Sequence, residues 1–451
     1  MKVNVVLTII TSFFVFDFNA QDISNSSYSY FGLGNKNQVG HPVFESTGNI
    51  SGIYADSTIL NFYNPASYSL LKPGKILLST SLSGQFSFLN ENDQSSYFPS
   101  ASLHHIAMAM SVKKFLGISF GLKPYLSKGY SFAYNQYTGQ DSLIHQYEGK
   151  GNCQQLYFGL ATSILDKEST TISLGGNISY LFGFLDKRRN SRLISSATAG
   201  GIEVKRTRVS SFHYDLGVFF KQKIGNNHLF KIAATMEPSQ EIASTFSDAL
   251  YYSQDINNPD LFDTLFYSMC DSENCNIILP LELDLSFAYS FRFSGRVVNN
   301  KKRFSQITLM AGFNQSNWSN YMPHDGLSPS IKFAEKTQLS FGLSYVPETK
   351  YLEKALITKW YERLNYRMGY FDRKLPYTIN GVEVHDFGMT FGLGMPIVIQ
   401  QSLSSLNFSL VLGKRGLQNE NIVEENYVGI NFGLILSPSN FSRWFRKRKL
   451  D

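Results

Sequence analysis

The sequence predicts an all-β fold, namely a transmembrane antiparallel β-barrel of about fourteen strands with an N-terminal plug segment. Three observations predict it. Large apolar and small polar residues alternate with period two, the number of alternating segments is even, and short connections alternate with long ones. The bulk composition, with 43% hydrophobic residues and a net charge of +6, resembles that of a soluble protein. The fold class therefore follows from the pattern and not from the composition.

The clearest alternation lies in the stretch from Asp386 to Pro438. One parity carries Phe387, Met389, Phe391, Leu393 and Met395, and the other carries Asp386, Gly388, Thr390, Gly392 and Gly394. A soluble sandwich also alternates, so the apolar face alone does not separate water from lipid. The second face, however, consists largely of Gly, Ser, Thr and Asn, which suit a wet or tightly filled lumen. Outer-membrane barrels place apolar residues outside and polar residues inside in this way.

The chain begins with the features of a secretory signal peptide. Lys2 precedes an apolar run from Val3 to Phe16, and Ala20 comes directly before a polar pair. The run is shorter than the roughly 20 residues that a membrane-spanning helix needs. We therefore expect residues 1–20 to be cleaved on export, with the mature chain in the outer membrane of a Gram-negative bacterium.

Residues 21–74 show no strand pattern and are predicted to form the plug. Glycines and polar residues are spread along this segment, which ends in Asn64-Pro65-Ala66 and a short apolar stretch. The Asn64 side chain can cap a short helix in which Pro65 takes the first position. Irregular backbone survives at membrane depth only where protein or water surrounds it, and the lumen of a barrel provides such a place.

Fourteen candidate strands follow. They lie near residues 75–88, 101–112, 114–126, 154–165, 169–185, 203–222, 228–237, 277–293, 304–316, 331–346, 358–371, 386–397, 403–413 and 425–437. An even number of antiparallel strands closes without leaving an edge. We expect the barrel to span residues 75–437 and a basic periplasmic tail to span residues 438–451. If the mature N-terminus is periplasmic, the long connections face outward.

The third candidate strand contains Gly121 and Pro124. A proline cannot donate a hydrogen bond to the ladder, so Pro124 with nearby glycines would interrupt strand pairing and open the barrel wall. The alternative is that Pro124 lies just past the end of the strand. The sequence leaves both interpretations open.

Two of the three cysteines, Cys270 and Cys275, lie close together in a polar, turn-rich connection. In an exported protein this spacing predicts a small loop disulfide. Cys153 has no obvious partner and is expected to be a buried or lipid-facing small residue.

No pattern for catalysis is found in the sequence. The candidates are His104-His105 and the pair His213 and Asp215, which would share one face of a strand and form a lumen ion pair. Nucleophile elbows, phosphate-binding glycine loops and metal-binding His clusters are absent from the sequence. We therefore expect no enzyme, no metal and no cofactor. The mild charge, without a basic domain, argues against nucleic acid as a partner.

Asn64-Pro65-Ala66, placed just before the first of fourteen strands, resembles the FadL-type outer-membrane transporter family. The whole chain resembles more closely the uncharacterised Bacteroidota outer-membrane proteins of that superfamily. The resemblance lies in the opening run Tyr28–Gly34 and in the endings Gly413–Gly416, Glu425–Tyr427 and Trp444–Arg448. The basic end, Arg443–Asp451, departs from the family because the chain continues past its last strand.

This resemblance implies a fourteen-stranded barrel, embedded in outer-membrane lipid and plugged by an N-terminal hatch. It further implies binding or transport of hydrophobic, fatty-acid-like small molecules across the outer membrane. Only Asn64, Pro65 and Ala66 can be carried over as hatch residues. An alternative branch resembles the PorV-type shuttle, which implies a non-enzymatic subunit of a protein-secretion or surface-assembly complex. A barrel enzyme acting on lipid is the third candidate.

One structural feature would separate the first two functions. A transporter needs a continuous apolar pocket under the hatch, whereas a shuttle needs large ordered external loops. The long connection from Pro238 to Asn276, with its acidic residues, fits the shuttle.

Overall fold

The computed structural model describes most of the chain after the predicted signal peptide. The described residues are 26–36, 40–73, 75–91, 94–139, 141–196, 198–271, 275–298, 301–324, 331–349, 359–399, 402–416 and 423–437. The signal peptide (1–20) and the basic tail (438–451) lie outside these residues and stay predictions. None of the helices within the described ranges has the length and apolar character needed to cross a membrane.

Fourteen antiparallel strands in the described part of the chain form a closed barrel. They are β1 (Ile76–Glu91), β2 (Gln94–Lys113), β3 (Leu116–Ser127), β4 (Ser142–Asp166), β5 (Thr170–Leu193), β6 (Gly200–Ile224), β7 (His228–Glu237), β8 (Glu282–Val298), β9 (Lys301–Asn317), β10 (Glu335–Val346), β11 (Asn365–Ile379), β12 (Val382–Ile399), β13 (Ser402–Arg415) and β14 (Glu424–Leu436). Each strand pairs with the next, and β14 pairs back with β1. The predicted barrel is confirmed, and each of the fourteen predicted segments overlaps one of these strands.

The remaining elements are short. The strands outside the ring are Asn35–Lys36, Tyr130–Tyr137, Gln240–Ile242, Ser244–Ser253, Phe262–Cys270, Ile277–Leu279 and Ile331–Phe333. One α-helical turn spans Pro42–Glu45, and 3-10 helices span Ser27–Tyr30, Pro65–Leu70, Pro259–Leu261 and Trp360–Arg363.

The alternation along each strand separates the lipid face from the lumen as predicted. In β12, Met389 and Phe391 point outward and are 57% and 40% exposed, whereas Asp386 and Thr390 point inward and are fully buried. The inward positions of the other strands are rich in serine, for example Ser79 of β1. The apolar residues therefore cover the outside of the barrel, and the small polar residues leave room inside it.

Three strands are far longer than a membrane crossing requires. β4, β5 and β6 contain 25, 24 and 25 residues, whereas about 9–11 residues span the bilayer. Beyond the barrel they continue as a sheet with three further strands: Tyr130–Tyr137 pairs with β4, Ser244–Ser253 with β6, and Phe262–Cys270 with Ser244–Ser253. We call these six strands the outer sheet.

The outer sheet lies at the end of the barrel where most of the long connections lie. The connection between β7 and β8, residues 238–281, leaves from this end. At the opposite end, where β1 begins and β14 ends, the turns after β2, β4 and β6 contain two or three residues each. Because bacterial barrels have short periplasmic turns and longer extracellular loops, we assign the outer sheet to the extracellular side.

The assignment of the lipid face predicts the effect of a charge on it. Met389→Arg should lower the free energy of unfolding of the vesicle-inserted barrel by about 2–4 kcal/mol, because the guanidinium would lie in hydrocarbon. Tyr137→Arg is the matched control in the outer sheet, where the side chain is 76% exposed, and it should change folding by less than about 0.5 kcal/mol. Urea titrations of vesicle-inserted protein give both values, and an equal effect of the two variants would contradict the assignment.

Candidate functional site

The described residues 26–36 and 40–73, which we call the N-terminal segment, lie inside the barrel. The segment approaches inward-facing glycines so closely that no side chain would fit there. A Cβ at Gly117 of β3 would lie 1.9 Å from the carbonyl oxygen of Tyr68. A Cβ at Gly175 of β5 would lie 2.6 Å from the backbone nitrogen of Ala66. These glycines therefore allow the short helix Pro65–Leu70 to lie directly on the wall.

Asn64, Pro65 and Ala66 are buried at the start of this helix. The Asn64 side-chain oxygen accepts a hydrogen bond from the Ala66 N–H at 3.1 Å, and Pro65 takes the first helical position. The predicted capped helix is thereby confirmed, in 3-10 form. The Asn64 amide donates to the carbonyl oxygens of Gly52 at 2.8 Å and of Val218 at 3.4 Å. The motif thus ties two parts of the segment to each other and to β6.

A lysine that the sequence analysis did not single out connects the segment to the opposite wall. Lys36 forms ion pairs with Glu237, at the end of β7, and with Glu282, at the start of β8. Lys336 of β10 lies 3.0 Å from the other oxygen of Glu282. Burial would lower the pKa of Lys36, but Glu237 and Glu282 outweigh burial and raise the pKa well above its usual value. Lys36 therefore stays charged and holds the segment in place.

A buried carboxyl group of the segment faces the other side of the lumen. One oxygen of Glu45 accepts hydrogen bonds from Ser409 of β13 at 2.8 Å and from Asn431 of β14 at 2.5 Å. Burial raises the pKa of Glu45 to about 8, although these two hydrogen bonds lower it. The group is therefore protonated at neutral pH while the segment is in place.

The barrel wall is not continuous between β2 and β3. Their pairing begins at the turn end and stops at Ile106 and Leu122. Above this point β2 pairs only with β1, and β3 pairs with β4 through a register shift between Pro124 and Leu126. Pro124 therefore lies inside β3, and the interpretation that it follows the end of the strand is wrong. Gly121 lies in the last paired stretch, where a Cβ would be 2.6 Å from the Ile106 carbonyl oxygen.

The N-terminal segment fills the gap between these two strands. Asn35 and Lys36 pair antiparallel with Ser127 and Leu126, on the edge of β3 that β2 has left. Gly40 lies against β2, since a Cβ there would be 1.9 Å from the His104 ring. The segment therefore pairs with Leu126 and Ser127 on the β3 edge that β2 has left and packs against β2 at Gly40.

A cavity of about 220 Å³ lies in the lumen beside this gap. Its apolar lining comprises Phe31, Leu33, Leu126, Trp318, Tyr321, Phe333, Phe371, Leu375 and Tyr377. Its cationic lining comprises Lys36, Lys336, Arg373 and Arg415. A second cavity of about 120 Å³ shares Lys36 and Lys336 with the first and is lined by Lys123, Pro124, Glu237, Glu282 and Asp284. Charged groups thus line much of the second cavity, whereas the first cavity combines aromatic residues with four cations.

The other residues predicted from the sequence lie away from these cavities or already contact other groups. Cys270 and Cys275 are joined by a disulfide bond at the end of an outer-sheet strand, and Cys153 is buried and free. His213 and Asp215 both face the lumen but do not form the expected pair. His213 lies 3.6 Å from Glu237, and Asp215 accepts a hydrogen bond from Asn177. Each is held by a different neighbour because the lumen is crowded with polar groups.

The closed fourteen-strand ring, with its apolar outside and filled lumen, defines an outer-membrane β-barrel with the fold of the FadL channels. A FadL homologue of Pseudomonas aeruginosa superposes with a TM-score of 0.53 at 11% identity, covering 89% of this chain and 98% of that one. The toluene transporter TodX of P. putida gives 0.51 at 13% identity, covering 89% and 99%. TbuX, a toluene transporter of Ralstonia pickettii, gives 0.50 at 11% identity, covering 89% and 98%.

At these identities the structural likeness establishes the fold alone. The family is given by sequence: the chain belongs to the BamG family, whose model matches residues 1–451. A search of the curated proteins finds no match of significant similarity.

The Lys36 ion pairs predict how firmly the segment is held. Lys36→Met should lower the free energy of opening the segment by about 3–5 kcal/mol. It leaves Glu237 without its lysine and Glu282 with Lys336, and these carboxylates are only 29% and 14% exposed. Hydrogen exchange of the Asn35–Lys36 amides in the folded barrel measures this opening. Lys374→Met is the matched control, since its ion pair with Glu383 is 31% and 50% exposed, and it should have no effect on those amides. Unchanged exchange in Lys36→Met would show that the ion pairs do not retain the segment.

The raised pKa of Glu45 predicts that opening of the N-terminal segment depends on pH. Stabilisation by protonated Glu45 is fully present below its ordinary pKa of 4.5 and is lost as the pH rises through about 8. Opening of the helix Pro42–Glu45 should therefore increase at least roughly tenfold between pH 5 and pH 9. Glu45→Gln should remove most of this dependence, whereas Glu383→Gln at an exposed site should leave it. Hydrogen exchange corrected for its intrinsic pH dependence is the measurement, and identical slopes in both variants would refute the assignment.

Proposed function

We propose that this non-enzymatic barrel binds hydrophobic, fatty-acid-like small molecules and admits them from the membrane through the gap between β2 and β3. The observation that carries the proposal is the end of pairing at Ile106 and Leu122, with a cavity beside it. Unpaired strand edges are costly in lipid, since no water satisfies their N–H and C=O groups. A gap closed by a separate segment, Asn35–Lys36, can be opened without breaking the rest of the ring.

The lining of the first cavity supports an amphiphilic ligand. Aromatic side chains such as Trp318 and Phe333 offer contact for an apolar body, and Arg373 and Arg415 lie on the same cavity. Both arginines are within 3.2 Å of Asp386, so a ligand carboxylate would compete with this aspartate. A volume of about 220 Å³ lies below the roughly 300–1,000 Å³ of drug-sized pockets, which favours a small molecule or one end of a longer chain. The similar structures include proteins described as toluene transporters.

The outer sheet favours a second candidate, a subunit of a protein-secretion or surface-assembly complex. Large ordered external structure is what an interaction protein needs. The outer sheet consists of the extensions of β4, β5 and β6 and three further strands. The lumen supports this candidate as well, because the charged groups of Lys36, Glu237 and Glu282 line its second cavity. Mild extraction from the native membrane followed by native mass spectrometry tests it. A stoichiometric protein partner would favour the second candidate over the first.

A disulfide lock across the gap tests the small-molecule route. Asn35 and Ser127 are paired partners, at a separation that a disulfide tolerates. Asn35→Cys with Ser127→Cys, in a Cys153→Ser background, should slow the entry of a fluorescent fatty acid into nanodisc-embedded protein at least tenfold when oxidised. Reduction should restore the rate, because the segment is then free to leave the edge of β3.

The single variant Ser127→Cys in the same background is the control and should be insensitive to oxidation. Unchanged entry in the oxidised double variant would show that the gap is not the route. Absence of fatty-acid binding to any variant, including the parent, would remove the small-molecule function altogether.

A further inference from the structure

The strand Phe262–Cys270 forms one edge of the outer sheet. Among the described residues the one strand paired with it is Ser244–Ser253, through a register that shifts once between Leu250 and Tyr251. The opposite edge of its nine residues therefore presents backbone N–H and C=O groups that no described strand satisfies. Natural proteins usually protect such an edge with lysines, prolines or a covering element. Phe262–Cys270 contains neither lysine nor proline.

The side chains of this edge strand are large and apolar although the strand lies outside the membrane. Leu265, Phe266, Tyr267 and Met269 are between 52% and 64% exposed. Exposed residues at consecutive positions, such as Phe266 and Tyr267, occupy both faces of a strand. A long edge with these properties is a template for pairing with another strand.

The charged residues of the connection that contains this strand, residues 238–276, favour one kind of partner strand. Residues 238–276 contain seven acidic residues, Glu241, Asp248, Asp255, Asp260, Asp263, Asp271 and Glu273, and no lysine or arginine. Cations of the outer sheet lie on β5 and β6, where Lys205 contacts Asp248 and Arg188 lies over the Phe262 ring. Within the edge strand and two residues of its ends, however, the charged residues are Asp260, Asp263 and Asp271. A strand with lysine or arginine between its apolar residues would be attracted to this edge.

A second copy of this chain in the same membrane does not fit. Two identical strands pair antiparallel through a two-fold axis perpendicular to their sheet. The outer sheet continues β4, β5 and β6 away from the barrel, so that axis would lie in the membrane plane. The second barrel would then be upside down. An antiparallel pair of copies in one membrane is therefore excluded, and the occupant that we consider is a segment of a different polypeptide.

We propose that the free edge of Phe262–Cys270 binds an extended, basic and apolar segment of another protein as an added β-strand on the extracellular side. The inference rests on the second candidate function, which it deepens by naming the edge and the chemistry of the partner. It does not depend on the small-molecule route.

Three fluorescent ten-residue peptides test the proposal with the full barrel in nanodiscs of zwitterionic lipid. One alternates Lys with Ile or Val, the second replaces each Lys by Glu, and the third keeps the lysines but carries prolines that block backbone pairing. The Lys peptide should bind at least tenfold more tightly than either of the others. Its binding should slow hydrogen exchange in residues 262–270.

Two variants show whether the edge is the site. Phe266→Lys with Tyr267→Lys should weaken binding of the Lys peptide at least tenfold, because it adds positive charge and removes apolar contact. Tyr137→Lys, on the opposite edge strand of the outer sheet, should change binding by less than twofold. Heat-dependent migration in gels verifies that each variant is a folded barrel.

Equal binding of the proline peptide, or protection elsewhere than residues 262–270, would overturn the proposal, as would no binding of the Lys peptide. Failure of the second candidate function has a different signature, namely a barrel that binds the Lys peptide but leaves the native membrane without a protein partner.

Discussion

In the lipid core every backbone N–H and C=O group must find its partner within the protein. The barrel meets this constraint by closing β14 onto β1 over thirteen residue pairs, from Leu78 and Leu436 to Asn90 and Glu424. In the described part of the chain, the pairing of β2 and β3 stops at Ile106 and Leu122, and beyond this point Asn35 and Lys36 pair with two residues of β3. The N-terminal segment is therefore part of the wall as well as the filling of the lumen, and the two cannot be understood separately.

Polar contacts on two sides of the lumen hold the N-terminal segment. Lys36 reaches β7 and β8, and Glu45 reaches β13 and β14. Buried ion pairs add little net stability, but removing one partner is expensive because it leaves an unpaired charge. Contacts of this kind fix where the segment lies more than they strengthen the barrel. They also interrupt the apolar surface, so a molecule that entered the lumen would have to displace or bypass them.

The barrel strands could be predicted because a strand between lipid and a polar lumen must alternate, and alternation is visible in one sequence. The helix start at Asn64-Pro65 could also be predicted, since capping depends on residues that are neighbours in the sequence. The ion-pair partners of Lys36 could not be predicted, because Glu237 is 201 residues away in the chain and nothing near Lys36 in the sequence marks it. The strands Tyr130–Tyr137 and Ser244–Ser253 cannot be told from connections in the sequence, since a sheet in water on both faces need not alternate. Pro124 could be predicted to interrupt strand pairing. Whether it lies within β3 or beyond it could not be predicted, because the end of β3 depends on the strands beside it.

Two of the strand edges that the ring does not pair have different surroundings. The edge of β3 at Leu126 and Ser127 is buried in the protein, where an unsatisfied amide has no water as an alternative partner, and Asn35–Lys36 covers it. The edge of Phe262–Cys270 borders water, which can satisfy its amides while no partner is bound. Water therefore allows an open edge to persist on the outside, whereas the dry interior of the protein would not tolerate one. The same backbone chemistry makes the inner edge a place for the protein's own chain and leaves the outer edge available to another.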